Sequence, residues 1–258
     1  MSTQTSDDTA PTRVAIRDRL DRVTDPELDR SIVELEYIDR IEIDGERVGV
    51  DLTLPTAWCS PAFAWMMAID ARDEVESLPA VEESRITLHD HMHEAEINRG
   101  VNEGLSFAEA FPDADGDVAA VRTELDEKAR VARQYDAIEA LLDAGLDAGA
   151  IVALSRDDLE MTDSTDTVAV YVPDRSFAVT VPNAPIERYL RKARETALVS
   201  EPADPLFRTP EGDPIDAESF ALVHRRGRLA QVNLSSQGGI CDGLREARER
   251  RTEESADD

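Results

Sequence analysis

The chain has two thiols, and the sequence places each where a thiol can do chemistry. Cys59 lies in "TLPTAWCSPAFAWMMAID" (53–70), between a strand-like run and a segment that opens as a helix with Ser60-Pro61. A cysteine at a helix N-terminus meets unpaired backbone N–H groups and the positive end of the helix dipole. Both favour the thiolate, the form that attacks electrophiles and binds metals. The same residue type also serves as a small buried apolar side chain. Cys241 lies in "NLSSQGGICDGL". Read as a strand, a Gly238-Gly239 turn and a new helix, this stretch puts the second thiol in a first helical turn as well. Gly239-Ile240-Cys241-Asp242-Gly243 has the Gly-x-Cys-x-Gly outline of a nucleophile elbow. A hydrolase elbow needs its acid and histidine later in the chain, and no histidine follows Cys241.

Three of the four histidines fall in "HDHMHEAE" (89–96). If a strand continues through it, His89, His91 and His93 point to one face. Imidazoles on one face can share a metal, with Glu94 or Glu96 nearby, and His91 is the first choice among them. The alternative is a solvated strand end. Two cysteines with one or two histidines make a soft-metal ligand set. Asp25 and Glu27, in "TDPEL", are either acid–base groups or turn and capping carboxylates, since Asp before Pro is a turn signal. Trp58, Trp65, Met66 and Met67 flank Cys59 and read as core or dimer contacts.

The elements that must position these residues follow from periodicity. "TRVAIRDRLDRV" (12–23) has helical spacing, and Pro26 interrupts it. "YIDRIEI" and "RVGVDLTL" flank "DGE", a hairpin signal. A helix over 60–78 follows, with Ser60 at the N-cap and Pro61 in the first turn. A strand in 80–93 closes the unit. The order helix, two strands, helix, strand defines a small two-layer α+β domain. Beyond it, 117–145 reads as a long helix stopped by Gly145. Residues 166–182 read as a hairpin, with Val168, Val170 and Val172 facing Phe177, Val179 and Val181. "RLAQVNLSS" reads as a strand. The expected organisation is a disordered tail (1–11), the N-terminal domain (12–100), a helical connecting region (101–165), a mixed α+β C-terminal domain (166–250) and an acidic tail (251–258).

"TDPELDRSIVELEYIDRIEIDGERVGVDLTLPTAWCSP" resembles the start of the PaaD-like metal–sulfur cluster assembly family. The matching residues are Asp25, Pro26 and Glu27, then Ser31, Ile32, Val33 and Leu35, then Leu52 and Thr53, then Thr56, Cys59 and Pro61. The resemblance implies an α+β domain whose cysteine helps hold or hand over an iron–sulfur cluster to client proteins. It covers about residues 12–95. The family's Cys-Pro is here Cys59-Ser60-Pro61, and its Leu-Gly is Leu35-Glu36. The long extension resembles a longer subgroup that accompanies multicomponent iron-dependent monooxygenases.

Composition narrows the field. Hydrophobic residues make up 41% of the 258 and charged residues 33%, which fits a water-soluble globular chain. No apolar run approaches the ~20 residues of a membrane helix, and the polar, acidic start reads as no signal peptide. The net charge is −28, and Lys128 and Lys192 are the only lysines. Acid-rich, lysine-poor composition suits a salt-loaded cytoplasm, where at ~1 M salt the screening length falls to ~3 Å. It argues against nucleic acid, which needs a basic stripe. The leading expectation is a non-catalytic iron–sulfur cluster assembly or carrier protein of the cytoplasm. Its transient cluster would be held by Cys59, with Cys241, His91, His89 and His93 completing a site within the chain or across a homodimer. Its clients would be apo-proteins of iron–sulfur or iron-oxygenase type. The alternatives are a cysteine-dependent enzyme using Cys59 or Cys241 and a scaffold module of an oxygenase complex.

Overall fold

A computed structural model describes residues 10–114, 117–161, 166–172 and 177–256; the side chains of 161, 237, 238, 240–242, 245, 246 and 248–256 lie outside that description. The chain divides into two compact units. Unit 1 is Met1–Val118 with Gln237–Asp258, and unit 2 is Ala119–Ser236.

Unit 1 opens with α1 (Arg13–Leu20), whose first turn is closed by the Thr12 hydroxyl accepting from the Ala15 N–H at 3.1 Å. Two short strands follow, β1 (Thr24–Asp25) and β2 (Arg30–Ser31). The hairpin of β3 (Ile38–Asp44) and β4 (Arg47–Thr53) turns at Gly45, whose φ of 64° suits a residue without Cβ. Helix α2 (Pro61–Glu76) then carries the chain to β5 (Glu83–His89), which lies parallel to β4. The strand order is β3-β4-β5. The register Val48↔Ser84, Val50↔Ile86, Leu52↔Leu88 puts alternate residues of both strands on one buried face. The α2 residues Trp65, Met67, Ala68, Ala71 and Val75 join the same core. This is the expected two-layer α+β order, with β1 and β2 added ahead of the hairpin.

The stretch after β5 reads in sequence as loop with helical pieces, and those pieces are α3 (Glu94–Glu103) and α4 (Phe107–Ala110). Helix α3 seals the outer edge of β5. Asn98 accepts from the Leu88 N–H (2.7 Å) and donates to the Leu88 carbonyl (2.9 Å), and Asn102 does the same at Ile86 (2.9 and 2.7 Å). Two amides four residues apart thus stand in for a fourth strand. At Gly100 the helix passes so close to α2 that a Cβ would meet the Trp65 ring at 2.5 Å and the Ala110 Cβ at 2.9 Å. Trp65 is itself wedged edge-on against Phe107 and Phe111.

Unit 2 is built from α5 (Val118–Asp143), α6 (Ala148–Val152), an antiparallel sheet of β6 (Leu159–Met161), β7 (Thr167–Val172) and β8 (Phe177–Pro182), and α7 (Asn183–Glu195). The β7–β8 pairs are Val168↔Val181, Val170↔Val179 and Val172↔Phe177, as the alternation predicts; the connecting residues 173–176 lie outside the described residues. Two buried polar side chains here serve backbone. The Arg130 guanidinium donates to the Thr209 and Pro210 carbonyls at 3.2 Å, and Gln134 pairs with both backbone groups of Arg208.

The last helix corrects the sequence reading. "RLAQVNLSS" is not a strand, and no glycine turn follows it: α8 runs unbroken from Phe220 to Ala256. Each glycine costs a helix about 1 kcal/mol relative to alanine, and the Leu-, Arg-, Ala- and Glu-rich flanks outweigh that. His224, which reads as a surface residue on a basic turn, lies in this helix, hydrogen-bonded to Glu139 at 2.8 Å and stacked on Tyr135 and Phe220.

Candidate functional site

Parallel strands β4 and β5 end side by side, Thr53 opposite His89, so the loops leaving their C-terminal ends are neighbours. Open parallel units place ligand sites at this position. The first loop, 54–60, holds Thr56 and Cys59; the second, 90–93, holds His91. Two hydrogen bonds join them. The Met92 N–H donates to the Ala57 carbonyl (3.1 Å), and the His91 Nε2 lies 3.0 Å from the Cys59 carbonyl. The His93 N–H donates to His91 Nδ1 (3.1 Å), so the proton sits on Nε2 and His91 is the neutral tautomer that clamps the Cys59 main chain. Burial pushes the His91 pKa below its ordinary value; its bond to the Cys59 carbonyl and nearby Glu94 oppose this, and His93 adds to it.

Within its own loop, the Cys59 N–H donates to the Thr56 carbonyl (3.4 Å), and the Trp58 N–H donates to the Thr56 hydroxyl (3.2 Å). Thr56 therefore shapes the turn that presents the cysteine. Cys59 is half-buried and carries a thiol rather than half of a disulfide. Ser60 occupies the N-cap of α2 and Pro61 its first position, so Cys59 stands one residue outside the helix. Trp65, Met66 and Met67 are core residues, but Trp58 is 76% exposed and Met92 52% exposed, a pair of apolar side chains on the two joined loops. A cavity of about 480 Å³ opens beside Trp58, lined by Pro55, Thr56, Ala57, Trp58, Asp90, Leu244 and Ala247.

The three histidines do not share a strand face. β5 stops at His89, on the sheet's outer face, where His89 pairs with Asp51 at 3.2 Å. Asp90 turns the chain with a φ of 55°, and His93 becomes the N-cap of α3, its ring packed edge-on against Phe111. Among the described residues, no group of three or more His, Cys, Asp or Glu side chains gathers to hold a metal ion. Cys241 falls in the interior of α8, not in a first helical turn, and its side chain lies outside the described residues. The N-terminal dipole argument therefore does not apply to it.

Asp25, Pro26 and Glu27 form a turn rather than an acid–base pair. Asp25 Oδ1 accepts from the Glu27 and Leu28 N–H groups (2.9 and 3.1 Å), and Oδ2 accepts from the Tyr37 hydroxyl (3.2 Å). Tyr37 was not legible as this partner from sequence. Burial raises the Asp25 pKa, outweighing those three bonds, and burial followed by the charge of Asp25 raises that of Glu27. Because the folded pKa of Asp25 exceeds its unfolded value of 3.8, its contribution to stability is complete below that pH and is lost as pH rises through the folded pKa. Asp25→Asn, which keeps an acceptor for both N–H groups, is expected to melt at or above the wild-type temperature at pH 7. Its advantage should shrink toward pH 4, and the loss in Asp25→Ala should grow over the same range, reaching about 2 kcal/mol near pH 4. Melts at the two pH values check this; an Asn variant as damaged as the Ala variant would refute it.

A family model described as iron-sulfur cluster assembly protein matches residues 13–88. That span includes Asp25, Thr56 and Cys59 and stops just before His89. An uncharacterized protein of Methanocaldococcus jannaschii is 31% identical over 93 residues, which are 36% of this chain and 96% of that protein. The chain belongs to this iron–sulfur cluster assembly family through its PaaD-like N-terminal region, and the rest is an additional α+β extension. The family is one of assembly factors rather than catalysts.

Proposed function

We propose that the protein carries or assembles an iron–sulfur cluster and hands it to client apo-proteins, an iron-dependent oxygenase among them, with the cluster as cargo. The observation that carries this reading is the Cys59 loop. It presents a half-buried thiol beside exposed Trp58 and an open cavity, and it is held by a histidine that binds its main chain. A cysteine-dependent enzyme would need a base on the thiol, whereas the Nε2–H of His91 goes to the Cys59 carbonyl. Cys241 is the second sulfur ligand in this reading. It lies one helical turn before Leu244, which lines the cavity beside Trp58. Of the histidines, His93 is the better donor, because His91 has both ring nitrogens engaged and His89 faces Asp51.

Anaerobic reconstitution with iron and sulfide in high salt tests the proposal. Wild type is expected to take up both, with thiolate-to-iron absorbance, and Cys59→Ala to lose them. Loss in Cys241→Ala as well would make α8 part of the site. Equal iron and sulfide in all three proteins would refute a ligand role for either thiol.

A further inference from the structure

The sheet edges of this protein are treated unequally. Edge strand β3 carries Asp39, Arg40, Glu42 and Asp44, and the outer edge of β5 is sealed by Asn98 and Asn102. Charge and cover are the usual ways to stop a sheet from recruiting another strand. Edge strand β8, "FAVTVP", has neither: it contains no charged residue, and among the described residues it pairs only with β7. Its outward groups can be identified. The Asn183 N–H donates to the Asp166 carbonyl (2.8 Å), continuing the β7–β8 ladder. By alternation, Val181, Val179 and Phe177 bond to β7, so Ala178 and Thr180 aim their N–H and C=O groups away from the sheet. Among the described residues nothing bonds those groups. Phe177, at the same edge, is 53% exposed.

We propose that β8 pairs antiparallel with the β8 of a second copy, joining two three-stranded sheets into one. Charge decides the occupant. Two chains of net charge −28 repel over most of their surfaces, and an uncharged strand that pairs with itself sets no like charges opposite each other. A twofold axis at Val179 puts Ala178 against the partner's Thr180 and Thr180 against the partner's Ala178, as hydrogen-bonded pairs. Phe177 then sits opposite the partner's Val181 in the closer, non-hydrogen-bonded register, which covers its ring. Pro182, whose missing N–H would also face outward, costs the β7 ladder nothing.

Sedimentation velocity of the full chain in high salt, over a concentration series, tests this with two variants. Thr180→Pro removes an outward donor and leaves the β7 ladder intact; Thr180→Lys sets two like charges near the axis. The wild-type chain is expected to reach twice the monomer mass. Each variant should raise the dimer dissociation constant at least about 100-fold with unchanged circular dichroism. If Thr180→Pro perturbs the fold, Thr180→Lys still gives the answer. A wild-type chain that stays monomeric throughout, or folded variants that dimerise as tightly as wild type, would overturn the proposal.

Discussion

Gly100→Val is expected to destabilise unit 1 by about 3 kcal/mol, lowering its melting temperature on the order of 10 °C. The cause is the crossing of α3 over α2. A Cβ at position 100 would lie 2.5 Å from one Trp65 ring carbon and 2.8 Å from another, and 2.9 Å from the Ala110 Cβ. A flexible side chain would swing aside, but Trp65 is only 5% exposed and is flanked by Phe107 and Phe111. The helices must therefore separate, which also pulls Asn98 and Asn102 from the β5 edge. Gly100→Ala should cost less, because alanine returns about 1 kcal/mol of helix propensity. The readout is specific, since both tryptophans of the chain, Trp58 and Trp65, belong to unit 1. Tryptophan emission during heating follows that unit alone. A Val variant that melts with wild type would show that the close approach is not rigid.

His91→Ala should cost about 2 kcal/mol and increase alkylation of Cys59 on the order of tenfold. The buried ring bonds two backbone groups, the Cys59 carbonyl and the His93 N–H, next to the Met92–Ala57 backbone bond that also joins the two loops. Removing it leaves both groups without their partner, at about 1 kcal/mol each. The 54–60 loop then opens more often, and modification of a half-buried thiol follows how often its loop opens. Iodoacetamide labelling read by peptide mass spectrometry separates the two cysteines, with Cys241 as the internal reference. Equal acceleration at both would mean general unfolding; no change at Cys59 would remove the clamp role.

The hairpin at Asp44-Gly45-Glu46, the Ser60-Pro61 start of α2 and the valine register of β7 and β8 are legible because each is a local rule: turn chemistry, capping, alternation. The Cys59 position follows from the same rules together with the motif that begins at Asp25. What sequence does not reveal is mostly a matter of competition. In 229–234, Leu229 and Val232 fit a helix while Val232 and Leu234 fit a strand, and only the continuing helix of α8 decides between them. The histidines alternate through 89–93, but the alternation outlasts the strand, because Asp90 takes a left-handed φ and breaks it. The partners of Asp25 and His91, Tyr37 and the Cys59 carbonyl, are set by tertiary contact across 12 and 32 residues. The Asn98–Asn102 clamp had one visible sign, two amides at a spacing of four.

Unit 1 takes residues from both sides of unit 2, and this matters for the order in which the protein is made. Val118 leaves the ribosome well before Gln237, and the 118 positions between them take about 6–24 s at ~5–20 residues per second. During that interval Cys59, its histidine clamp and the exposed Trp58 are already synthesised, while Leu244 and Ala247, which line the cavity beside them, are not. A nascent chain thus offers its thiol loop with one wall missing. The moment of translation is when the thiol loop is least obstructed.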